Sequence, residues 1–309
     1  NNLQTNVLDI NAGVVELEGA GLLVAGNYSG NITNDGIFRH NSTNNQTLNG
    51  VISGTGAIEK DNTGTLTLTG ANTYSGTTTV SNGTLTLSAA DNNIANSTSI
   101  DVASGATLDV SGITNGFALA NGQTLSGAGT VTGGMTIALG SVISPGNSPG
   151  TLSTGSQTWN DGGSYLWEIN ASDDAGGTQG ADPGWDWLDI TGALDLTNLS
   201  AGGFTIDIDS LTAGNIAGDA VGFDTWTKGN PGDFDYSFTI ATASSGISGF
   251  DADNFTLDSS GFSNAPGWDW GIVLSGNSLV LQAYALPEPS SSALLGLGGL
   301  ALMLRRKRN

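Results

Sequence analysis

The hexad Gly64-Thr-Leu-Thr-Leu-Thr recurs 19 residues later as Gly83-Thr-Leu-Thr-Leu-Ser, and 22 residues further on as Gly105-Ala-Thr-Leu-Asp-Val. Looser copies follow at Gly122-Gln-Thr-Leu, Gly129-Thr-Val-Thr, Gly140-Ser-Val-Ile and Gly150-Thr-Leu-Ser. A repeat of about 20 residues is the length of one coil of a solenoid, and it excludes most other architectures. Within each copy apolar and hydroxyl residues alternate, as in a strand with one face buried. Leu66, Leu68, Leu85, Leu87, Leu108 and Val110 are therefore expected inside, and Thr65, Thr67, Thr84 and Thr86 outside. A single strand of this length closes no core. Stacked coils bury a continuous Leu/Val/Ile column and pair each strand with the coil above and below.

The stretch from Gly50 to Ser88, with Ala57-Ile-Glu-Lys-Asp-Asn-Thr-Gly-Thr-Leu-Thr-Leu at its centre, resembles the autotransporter-associated β-strand repeat of bacterial passenger domains. It departs from the pattern at Asp61-Asn62, where that family has a Thr-Gly pair. The resemblance implies a right-handed parallel β-helix.

The region 1–155 is read as these coils, ending after the doubled turn Ser144-Pro-Gly-Asn-Ser-Pro-Gly150. The rungs then become aromatic, because all seven Trp lie between Trp159 and Trp270. Strands are expected at 164–169, 187–191, 204–209, 236–241, 254–257, 270–274 and 278–283. Residues 156–286 are read as an aromatic-rich, antiparallel-rich β cap over the open solenoid end. The fold class is thus all-β, with helix expected only as a short hydrophobic segment near the C-terminus.

That segment belongs to the third region, 287–309. Pro287-Glu288-Pro289 is followed by an apolar run and then by Arg305-Arg306-Lys307-Arg308. From Ser290 to Leu304 the run is about 15 residues, or roughly 22 Å of helix, where a durable membrane span needs about 20 residues. Basic residues stay cytoplasmic, which places residues 1–286 on the far side of the membrane. A short apolar tail with a motif before it and a basic stop after it follows the logic of tails that are cut and exchanged for another attachment.

The whole segment from Leu286 to Arg308 resembles the PEP-CTERM sorting signal of Gram-negative bacteria. The resemblance implies an exosortase as partner, cleavage near the Pro-Glu-Pro motif, transient anchoring in the inner membrane through the short helix, and a final place at the cell surface or in the extracellular matrix. The chain starts at Asn1 without a secretory leader, so a further N-terminal portion is expected outside this sequence.

Charge narrows the partners. The tail holds four of the seven basic residues and one of the 28 acidic ones, which leaves three against 27 before Pro287, a body charge of −24. Such a surface repels phosphate backbones, and nucleic-acid binding is excluded. With no Cys, stability rests on burial and hydrogen-bonded ladders.

Two sets of residues invite chemistry. Pro183-Gly-Trp185-Asp-Trp187 is echoed by Pro266-Gly-Trp268-Asp-Trp270, and four exposed indoles would stack on the sugars of an extracellular polysaccharide. The competing reading has the same Trp pinning turns onto the cap core, with Asp satisfying turn amides. Asp251-Ala-Asp253-Asn254 has the alternate-oxygen spacing of a calcium loop but lacks the Gly and bidentate Glu that complete one. No cofactor is expected, and calcium at Asp251 and Asp253 is the one candidate metal.

Catalysis has little material. The single His40 sits in an Asn/Ser/Thr-rich stretch read as a surface turn, and no Ser lies in a nucleophile elbow. A polysaccharide lyase would need a basic proton acceptor, for which the body offers only Arg39, Lys60 and Lys228. The function expected is that of an exported, non-enzymatic structural or adhesive surface protein. The alternative is a polysaccharide-binding or lyase-type β-helix protein.

Overall fold

The computed structural model describes residues 7–223, 236–264 and 268–285. These residues are all-β, and helix among them is limited to three short 3-10 turns at Val24–Gly26, Asp173–Ala175 and Ala252–Asn254. The strands form sheets of twelve, eleven, five and three members, in which neighbours come from successive coils.

The repeat sets the register. Thr84–Leu87 pairs in parallel with Thr65–Leu68, so that Leu85 lies on Leu66 and Leu87 on Leu68. Leu85 continues onto Leu108 and Leu108 onto Val131. All six are buried to within 1%, while Thr65, Thr67, Thr84 and Thr86 stay on the half-exposed outer face. In the twelve-stranded sheet one inward column runs from Phe38 through Ile58, Thr78, Ile100, Leu125, Ile143, Tyr165 and Ile206 to Leu257. Thr78 interrupts it, and its hydroxyl is satisfied by Tyr74 Oη at 2.7 Å and Ser97 Oγ at 2.9 Å. Each rung adds a Leu or Ile worth roughly 2 kcal/mol of burial, so the core is a line of small contributions rather than one cluster.

The expectation of an antiparallel-rich region after residue 155 needs correction. The parallel coils run on: Leu152 pairs with Leu188 and Leu188 with Ala241, and Thr158 pairs with Asp195 and Asp195 with Ser248. Among the described residues after 155, antiparallel pairing is confined to Tyr236–Ala243 with Ser278–Ala285, the hairpin of the latter with Trp268–Ser275, and the single pairs Ile169 with Trp185 and Leu211 with Ala217. An alternating strand shows which face is buried but carries no mark of its neighbour's direction. What changes at 155 is content. Wider coils are filled by rings, with Trp159 stacked on Phe204 at 4.3 Å between centroids. The expected C-terminal helix lies outside the described residues.

Candidate functional site

The sorting motif Pro287, Glu288, Pro289 and the basic stop Arg305, Arg306, Lys307, Arg308 lie outside the described residues, as does Lys228. The last described strand, Ser278–Ala285, ends just before them. Among the described residues no helix is long and apolar enough to cross a membrane.

The two Trp-Asp-Trp segments converge on one aromatic core. Trp185 and Trp268 are 7% and 9% exposed, and their rings pack edge-on against Phe238 at 5.1 Å and Phe223 at 5.3 Å respectively. The Trp185 indole donates to the Thr239 carbonyl at 3.1 Å. Trp187 and Trp270 are half-buried. Trp187 donates to Thr242 Oγ1 at 3.4 Å, and Trp270 stands edge-on to Phe262 at 5.0 Å.

Asp186, between the first pair of indoles, is wholly buried. One carboxylate oxygen accepts the Gly150 N–H at 2.8 Å and the other the Glu168 N–H at 3.0 Å. It fastens the end of the doubled Pro-Gly turn to the strand Ser164–Ile169. Burial first, and the nearby Glu168 second, push this carboxyl well above the usual carboxylate range.

Asp251 and Asp253 are exposed and make a local turn, with Asp251 Oδ1 accepting the Asp253 N–H at 3.1 Å. Among the described residues no three His, Asp or Glu side chains converge on a point where a metal ion could sit. A carboxylate row does form on the outer face of the twelve-stranded sheet, where Glu168 pairs with Asp209 and Asp207 with Asp258. Burial, followed by the neighbouring carboxylates, raises Glu168, Asp207 and Asp209.

His40 is not a surface turn residue. It lies in the strand Ile37–Ser42, and its side chain is 0% exposed. Parity decides this, because His40 follows Phe38 by two residues and so points the same way. Lys60 on the next coil is also 0% exposed, with Nζ donating to the carbonyls of Asp61, Asn62 and Asn82 at 2.6, 2.5 and 3.0 Å. Arg39 faces outward between acids, 2.6 Å from Glu59, 3.4 Å from Asp61 and 3.8 Å from Glu16. Neither described candidate for a lyase base stands free in a cleft.

The concave feature of interest lies elsewhere. A groove of about 330 Å³ follows the corner between the eleven- and five-stranded sheets, with Ile113, Phe117 and Met135 beneath hydroxyls of Ser111, Thr114, Thr136, Ser156 and Thr158. No sequence motif marks it, since it arises from unequal corner lengths in neighbouring coils.

No curated protein matches the chain. Two family models match parts of it. A passenger-associated-transport-repeat model covers residues 58–87, one turn of the stacked Thr-Leu strands. The chain carries that repeat within its coils and, over residues 285–308, a PEP-CTERM protein-sorting motif, the substrate signal of an exosortase and hence the mark of an exported protein.

Proposed function

We propose that this protein is a non-enzymatic structural or adhesive element of the bacterial surface or extracellular matrix, delivered there and freed from its tail by an exosortase. The observation that carries the reading is the order of parts. The last described strand, Ser278–Ala285, runs up to the sorting motif matched over residues 285–308. Exosortase cleavage would release a body whose outer faces are hydroxyls, amides and carboxylates. The winding is taken as right-handed, the hand that parallel crossovers adopt in roughly 98% of cases. Support for a non-enzymatic role comes from the two described basic residues of the body, since Lys60 is buried and Arg39 is held among three acids.

Replacing Pro287-Glu288-Pro289 with three alanines tests the delivery step. Export should persist, while the full-length chain accumulates in the inner membrane with Arg305 to Arg308 attached. Intact mass of native surface material should end near Pro289. Material that retains Leu294 to Asn309 would show that the tail is only an anchor. Incubating the protein with uronate polymers and finding new unsaturated products would make it a lyase instead.

A further inference from the structure

The groove at the sheet corner exists because one coil is wider at this corner than the two that follow it. Seven residues, Val110 to Gly116, separate the strands Thr107–Asp109 and Phe117–Ala118. In the next coil only Gly133 and Gly134 separate Thr130–Thr132 from Met135–Ile137, and in the one after only Gly155 and Ser156 separate Thr151–Thr154 from Gln157–Trp159. The long corner is held by turns, with Ile113 N–H on the Val110 carbonyl at 3.0 Å and Gly116 N–H on that of Ile113 at 3.1 Å. It is tied to the preceding coil by Thr114 and Asn115, whose N–H groups meet the carbonyls of Ala89 and Ala90. It stands as a wall beside the cut corners. Gly134 keeps the floor open, since an added Cβ would meet nothing nearer than the Ser156 carbonyl at 3.8 Å.

The lining chemistry is specific in what it omits. None of the lining residues is titratable, although the body carries 27 acids and the Ser111 hydroxyl on the rim donates to Asp109 at 2.6 Å. Its apolar floor and hydroxyl rim combine two requirements. A hydroxyl both donates and accepts and rotates to suit its partner, and an aliphatic floor takes C–H groups. Among the described residues the hydroxyls of Thr114, Thr136 and Thr158 have no protein partner. Thr136 and Thr158 are register neighbours and so lie one strand spacing apart, about 4.8 Å. A sugar ring, with an apolar face and a rim of hydroxyls, meets both requirements, and an anionic ring would meet them only against the repulsion of the surrounding carboxylates. The volume lies at the lower end of the roughly 300 to 1,000 Å³ of ligand clefts, room for one or two such rings.

We propose that this groove is a binding site for a neutral saccharide, one or two hexose units of an uncharged polysaccharide chain, seated between the Val110–Gly116 wall and the Gly134 corner. This deepens the surface role above and rests on it. Uronate polymers are rejected by the surrounding charge.

Titration calorimetry of the full chain tests it with hexasaccharides of uncharged hexose polymers that differ in sugar and linkage, against an oligogalacturonate. At least one neutral oligosaccharide should bind and the uronate should not. Gly134→Trp, which fills the groove from an unstrained backbone position, should weaken binding at least about tenfold, the effect of losing one well-packed contact region. Thr84→Trp on the open sheet face should change it less than about twofold, as a change outside the contact should. Should Gly134→Trp alter the circular dichroism spectrum, the double variant Thr136→Ala/Thr158→Ala replaces it with the same expected loss. Binding that survives both variants overturns the groove while leaving surface adhesion standing. No binding by any neutral oligosaccharide overturns the proposal, and if the protein also fails to associate with whole cells of its host, the surface role falls with it.

Discussion

His40 and Lys60 are register partners on adjacent parallel strands, and both side chains lie wholly inside the coil stack. Two basic groups thus share the interior of the first coils. Burial first, and then the charge on Lys60, lower the His40 imidazole from 6.5 to about 4. Burial lowers the Lys60 ammonium from 10.5 to about 8 against the opposing pull of Asp61. At neutral pH the pair holds one charge, on Lys60, which three carbonyls satisfy.

The pair makes stability depend on pH with a definite sign. The unfolded chain takes up the His40 proton below about pH 6.5 and the native chain only below about pH 4. Between these values the unfolded state binds more protons, so the contribution is complete above pH 6.5 and is lost as pH falls toward 4. A shift of this size corresponds to roughly 3 kcal/mol. Because His40 is the single histidine, its ring resonances titrate without ambiguity, and a midpoint near 4 is expected. Lys60→Met should move that midpoint upward. Urea denaturation of His40→Leu at about pH 7 and about pH 4.5 should show an acid-induced loss smaller than that of the parent by most of this amount. An unchanged difference would place His40 in solvent.

The inward and outward parities of the repeat should separate by several kcal/mol. Leu85 is fully buried between Leu66 and Leu108, so Leu85→Asp creates a cavity and an unpaired buried carboxylate, at a cost of about 4 kcal/mol or more. Thr84 is on the half-exposed face, and Thr84→Asp should cost less than about 1 kcal/mol. Chemical denaturation midpoints of the two variants give the comparison, and equal losses would contradict the inward column.

Asp186 should behave as a fastener whose charge is a burden. Asp186→Ala removes the acceptor for both Gly150 and Glu168 N–H groups and leaves those two donors unpaired, for a loss of about 3 kcal/mol. Asp186→Asn keeps one good acceptor and should lose less. Its native carboxyl is raised, so the native state binds more protons than the unfolded one, and the contribution of Asp186 declines as pH rises through the native value. Asp186→Asn should therefore gain on the parent with rising pH in thermal melts. A gap that stays constant would mean the carboxyl is not raised.

How much could be read beforehand differs by residue. Leu66, Leu68, Leu85 and Leu87 were legible because a strand's period of two leaves only one assignment for a Thr-Leu run. His40 was not, because Asn41, Ser42, Thr43 and Asn44 look like a turn, and only its parity with Phe38 places it inside. The partner of Trp187–Ile190 was beyond reach. It pairs with Tyr236–Ala243 while Phe204–Ser210, nearer in sequence, joins another sheet. The groove was equally hidden, since it depends on a difference in corner length between neighbouring coils and on no residue type of its own.

The corners should prove less tolerant than the faces, and for a steric reason. Gly30, Gly50 and Gly70 recur every 20 residues and stack. A Cβ on Gly70 would stand 2.1 Å from the Gly50 carbonyl oxygen, and one on Gly50 would stand 2.1 Å from that of Gly30. The obstacle is backbone, which cannot swing aside as a side chain does, so Gly70→Ala must push two coils apart. The expected loss is about 3 kcal/mol, the upper range for overpacking. Gly105 provides the contrast. An added Cβ there meets nothing within 4 Å, but the residue sits at φ +80, so Gly105→Ala carries only the backbone penalty of about 1 kcal/mol. Urea midpoints should thus fall markedly further for Gly70→Ala than for Gly105→Ala. The reverse order would mean that conformational freedom, rather than close approach of stacked coils, is what these corner glycines supply.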